Sequence, residues 1–135
     1  MSVFFKSQAF VLWLLFLILG GWAIGFWFGL YFLIPWLDIP LHFFGGFWVY
    51  IFVRLLGIRF GLEINSQFSG LAKFFIFMGA VLFIGVFWEF WEFVLDRYII
   101  HNGYTYLPGV YEDTLADLVI DFLGGITGFF LIKNG

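Results

Sequence analysis

Asp38 and His42 stand four residues apart in "DIPLH", and Glu89, Glu92 and Asp96 follow at steps of three and four in "EFWEFVLD". On an α-helix such spacings put each set on one face. A third set, Asp113, Asp117 and Asp121 in "DTLADLVID", recurs every four residues and drifts slowly around its helix. Crowded carboxylates repel one another and are driven towards protonation unless a cation holds them. A divalent ion removes that repulsion. Oxygen-rich sites suit Mg²⁺, Ca²⁺ or Mn²⁺, and an added imidazole also admits Fe²⁺ or Zn²⁺, so the residue types do not choose the metal. The candidate ligands are His42, Glu89, Glu92 and Asp117, with Asp38 and Asp113 beside them.

Such an ion could activate water or polarise a phosphoryl or carbonyl group of a lipid or envelope substrate, with Glu92 as general base and His42 as the second candidate catalytic residue. Two other functions use the same residues. The site could bind or pass metal ions or protons without chemistry, or it could pin helices together in a scaffold. No phosphate-cradling glycine loop, nucleophile elbow or HExxH motif is present.

The elements that must carry these groups are membrane spans. Of the 135 residues, 64% are hydrophobic, 27% aromatic and only 11% charged, and mean hydropathy is +1.05. Soluble domains average about half apolar and about a quarter charged, so the chain reads as an integral membrane protein in contact with the lipid bilayer. Its apolar runs are continuous rather than alternating, which argues for helices over a barrel. There is no cysteine, excluding disulfides and thiolate chemistry. A net charge of −3 offers no footprint for nucleic acid. A homo-oligomer is compatible with all of this.

The expected fold is an all-α polytopic bundle forming a single transmembrane domain, with spans at about 8–31, 39–56, 71–96 and 114–132. The first apolar run is too long for a signal peptide and lacks a cleavage site followed by a polar segment. Asp38, between Pro35 and Pro40, is a good N-cap for the second span, and Thr114-x-x-Asp117 reads as a capping box for the fourth. Lys6, Arg54, Arg59, Lys73 and Lys133 fall on one side and Arg97 alone on the other, giving both termini inside. The expected location is the bacterial inner membrane. Eight of the nine acids then lie at or beneath the outer face, with Glu89 roughly 10 Å below Asp96.

Structural roles compete at each position. Glu89 and Glu92 could pair with Arg97, His42 or tyrosine hydroxyls, and Asp38 and Asp113 could simply serve helix starts. Asp96 and Glu112 read as solvated rim residues and His101 as an exposed loop residue. Asp121, deep in its span, is either a partner of a ligand or protonated. Arg54 and Arg59 are expected to snorkel to headgroups. Gly45-Gly46 and Gly124-Gly125 read as close helix contacts.

Taken together, "DIPLHFFGG" with Arg54 downstream, "EFWEF" and "DTLADLVIDFLGG" resemble the YjdF-like family of uncharacterised bacterial inner-membrane proteins. The matching positions are Asp38, His42, Gly46, Arg54, Glu89, Glu92, Asp113, Thr114, Asp117 and Gly124. The resemblance implies an all-helical membrane fold with a shared polar site, and no established activity.

Overall fold

The computed structural model describes residues 8–61 and 68–132, and every regular element among them is helical. Lys6, Glu63 and Lys133, which contribute to the expected charge asymmetry, lie outside these residues.

Helix α1, Gln8–Trp27, is apolar throughout, and its 20 residues span about 30 Å, the thickness of a bilayer's hydrocarbon core. Gly29 then turns the chain through a left-handed backbone (φ 63°) into a single turn, α2, Leu30–Leu33. A 3₁₀ turn, Pro35–Leu37, leads directly into α3, Asp38–Arg59. Ser69 caps α4, Gly70–Val94, its hydroxyl accepting from the Ala72 amide at 3.3 Å. That helix widens into a π-helical segment, Leu95–Ile100, and stops at His101, which takes a left-handed conformation (φ 62°). After a 3₁₀ turn at Tyr104–Tyr106, Gly109 (φ 89°) opens α5, Val110–Leu131.

Four of these helical stretches are long and apolar enough to cross a membrane. Phe16, Trp27, Phe75, Phe83 and Phe130 lie on outward faces, which suits lipid and would be untenable in water. The carboxylates gather at the end of the bundle where α3 and α5 begin and α4 finishes. A small apolar core of Tyr50, Ile51, Phe77, Met78, Val81 and Ile132 fills the other half.

Glycines set the helix spacing. A Cβ on Gly46 would lie 1.9 Å from the Asp121 carbonyl oxygen, and one on Gly124 would lie 2.0 Å from that of Phe43. Backbones of α3 and α5 therefore touch where neither carries a side chain, as small residues permit in lipid. Helix α4 packs on both, whereas α1 packs chiefly on α3, where the Trp48 indole donates to the Val11 carbonyl at 2.8 Å.

Arg54 departs from expectation. It does not snorkel but is 4% exposed, donating to the Ile132 carbonyl at 2.5 Å and to the Tyr50 hydroxyl at 3.1 Å. The last carbonyls of a helix have no partner within it, and in lipid no water supplies one. The guanidinium fills that role for α5.

Candidate functional site

Site geometry centres on His42, one turn into α3. Its Nε2 lies 3.5 Å from Asp38 Oδ1 and 3.6 Å from Glu89 Oε1. Its Nδ1 lies 3.3 Å from Asp121 Oδ2. One imidazole therefore faces carboxylates from α3, α4 and α5. Two trios can each converge on a single point, Asp38–His42–Asp117 and His42–Glu89–Glu92, with ligand atoms within 4.8 Å of one another. His42 belongs to both.

Local structure explains each placement. Asp38 is the first residue of α3 rather than its cap; the cap position is Leu37, which offers no side-chain bond. Because the preceding 3₁₀ turn already winds the chain, the Asp38 carboxylate is free to turn inward, and the residue is 9% exposed. Helix α5 starts at Val110, a turn earlier than expected, so Thr114 is not part of a capping box. Its hydroxyl instead donates to Glu89 Oε2 at 2.9 Å. Asp117, one turn further in, is buried.

The carboxylate of Glu92 accepts from the Trp22 indole of α1 at 2.5 Å. All four spanning helices thus reach the site. Trp22 stands in a run of apolar residues, and nothing in that run signals a polar role; only its hydrogen-bond partner, on another helix, reveals one.

Asp113 falls outside both trios. The Tyr104 hydroxyl donates to its Oδ2. Burial, followed by that bond, raises the Tyr104 hydroxyl above the ordinary tyrosine range, so it stays a neutral donor.

Asp96 is also not the solvated rim residue expected. It is 1% exposed and accepts from the Gly103 amide at 2.8 Å, the Thr105 amide at 2.8 Å and the Thr105 hydroxyl at 2.5 Å. It borders the same cavity as Glu89 and Glu92, but its oxygens are taken up in tying down the 101–109 loop. Arg97 serves the same loop, donating to Thr105 and lying 3.6 Å over the Tyr106 ring, rather than pairing with the glutamates. His101 is exposed, as expected.

Two buried oxygens in the cluster, Asp38 Oδ1 and Glu89 Oε1, have no hydrogen-bond partner. Both face His42 Nε2. A cavity of about 270 Å³ opens beside them, bordered by Glu92, Asp113, Asp117, Tyr31, Tyr104 and Arg97. Burying lone pairs without a donor is costly, and either a proton on His42 Nε2 or a bound cation would satisfy the two oxygens that meet there. The donor set, one imidazole and several carboxylates, fits a divalent ion.

Against known families, a model described as "Predicted membrane protein (DUF2238)" matches residues 3–133, nearly the whole chain. This agrees with the resemblance to YjdF-like proteins, which that family contains. Neither the curated proteins nor the solved structures compared with the chain give a match.

Proposed function

The chain belongs to the DUF2238 family of predicted membrane proteins, and we propose that it holds a divalent cation in a carboxylate–histidine site used for hydrolytic chemistry on a lipid or envelope substrate. The observation that carries this reading is the environment of His42. Asp121 sits at Nδ1, so the neutral ring places its proton there and turns the Nε2 lone pair towards Asp38 Oδ1 and Glu89 Oε1. Carboxylate–imidazole pairs of this kind orient histidine for a metal and raise its basicity.

Ligands come from either trio, with His42 common to both, and Asp113 serves through Tyr104 at the cavity rim. A bound ion supplies Lewis-acid polarisation and a more acidic water. Trp22 fixes one oxygen of Glu92 and leaves the other to accept a proton, the arrangement of a general base. Arg59 and Lys73 lie at the opposite end of the bundle from the cluster, so the positive-inside rule directs the site outward from the bacterial inner membrane.

A second reading follows from the same distances. A protonated His42, 3.3 to 3.6 Å from Asp38, Glu89 and Asp121, could pin three helices without metal. A transport path has less support, since Arg54 is the buried ionisable residue in the far half among the described residues.

Elemental analysis of the purified full-length chain after exposure to Mg²⁺, Mn²⁺, Ca²⁺, Fe²⁺ or Zn²⁺ tests the proposal. One of these ions should co-purify with the native chain and be lost from H42A and E89Q variants that keep their helical content. Metal-free native protein, with H42A unfolding, would instead establish the structural role.

A further inference from the structure

Behind the carboxylate cluster lies a second cavity of about 190 Å³, between α1, α3 and α4. Its walls are Leu15, Ile18 and Leu19 of α1, Leu41 of α3, and Ile84 and Trp88 of α4, and its inner end reaches Asp38, His42 and Asp121. Asp38 borders this slot and the polar cavity alike. An apolar channel therefore leads from the side of the bundle to the place where the unpartnered oxygens meet His42.

We propose that the slot receives one alkyl chain of a membrane lipid whose polar head lies in the carboxylate cavity. The lateral way in is the seam between α1 and α4. Helix α1 rests on α3 and reaches α4 through Trp22, which bonds Glu92 and meets the Trp88 ring edge-on at 5.1 Å between centroids. Ile84, about a turn below Trp88, is 43% exposed and forms the rim facing lipid.

Chemistry selects the occupant. Water gains nothing in a slot lined by aliphatic and indole carbon, and apolar cavities of roughly 150 Å³ stay dry yet admit benzene. The slot is of that order and takes a stretch of chain, not a whole lipid or a partner helix. Lipid chains are the medium that already surrounds the seam. Gly45 and Gly46 border the slot next to His42 without adding side-chain bulk to it. Carboxylates of Asp38, Glu89, Glu92, Asp113 and Asp117 line the polar cavity, so an anionic head group is held there through a bridging cation. That part alone rests on the cation reading, whereas the chain site rests on the slot.

Photolabelling of the full chain in phosphatidylcholine vesicles, doped with phosphatidylglycerol bearing a diazirine midway along one acyl chain, tests the inference. Adducts should concentrate on Ile18, Leu19, Leu41 and Ile84. I18W and I84W each fill the slot from a wall that tolerates bulk. They should lower that labelling about tenfold, as when about two methylenes can no longer be buried, without changing divalent-ion content. Labelling spread evenly over outward residues such as Phe16 and Phe83, and indifferent to both variants, would overturn the inference. In H42A, slot labelling retained after ion loss upholds the chain site, and native protein that holds no ion but labels the slot refutes the cation reading alone.

Discussion

Asp121 holds His42 from behind. Its Oδ2 approaches Nδ1 to 3.3 Å, and it can do so because glycines surround it. A Cβ on Gly85 would stand 2.6 Å from that same Oδ2, and one on Gly45 would stand 3.6 Å from Oδ1. The carboxylate occupies the space that side chains on α3 and α4 would have taken. The structure makes Asp121 the direct partner of His42.

If that contact orients and polarises the imidazole, D121N keeps the shape but loses the charge. Its divalent-ion affinity should fall about 10- to 100-fold, with helical content by circular dichroism unchanged. Titration calorimetry on the reconstituted chain decides this; equal affinities would remove Asp121 from the site.

Glycine contacts make a graded prediction for stability. G124A drives a methyl group to within 2.0 Å of the Phe43 carbonyl oxygen, an overpacking that costs about 1–3 kcal/mol or more. A Cβ on Gly79 meets nothing within 4 Å, so G79A should be neutral or gain about 0.5–1 kcal/mol from helix propensity. Unfolding in mixed micelles with rising SDS should rank G79A at or above native and G124A well below.

Arg54 should matter through its bonds and not through its charge at a membrane surface. Y50F removes one acceptor and should cost about 1 kcal/mol, while R54M leaves the Ile132 carbonyl bare and should cost about 1.5–3 kcal/mol. The same unfolding assay reads both. Lipid composition should not alter the order, as it would for a headgroup contact.

Asp96 predicts a local effect. D96A strips acceptors from the Gly103 and Thr105 amides and the Thr105 hydroxyl. Hydrogen exchange across 101–109 should speed up, with α3 and α5 unaffected. Uniform acceleration would show that Asp96 supports the bundle and not the loop.

Tyr104 carries a pH prediction. Its hydroxyl is raised by burial and by Asp113, so the neutral form is favoured in the folded chain. The stabilisation this gives is fully present below the ordinary tyrosine pKa of about 10 and is lost as pH rises through the folded value. Alkaline absorbance titrations of native and Y104F proteins should therefore coincide up to about pH 11. A native curve with one further tyrosine ionising near pH 10 would show that the Asp113 bond does not form.

Much of the site was legible because helical spacing is a local property. Asp38 and His42 share a face at i and i+4, and Glu89 and Glu92 share one at i and i+3, wherever the helices sit. Local spacing is silent on where a helix starts and on which partner another segment supplies. Thr114 resembles a cap until α5 is seen to begin at Val110, and Asp96 reads as a rim residue until the Gly103 and Thr105 amides are seen to close on it. Arg54 turns inward to a carbonyl 78 residues away in sequence, which its own helix does not reveal.

Composition alone decided that this chain lives in lipid as a bundle of spanning helices, because so much apolar surface has no other stable environment. The residues also showed which side chains belong near one end, since each is tied to its own span. Tertiary structure decided what meets what: that α1 joins the site through Trp22, that Asp121 backs His42, that Asp113 turns to Tyr104, and that an apolar slot ends at the cluster. Those facts depend on how helices rotate and cross. Glycine contacts between distant segments set that rotation, and no single stretch of sequence records it.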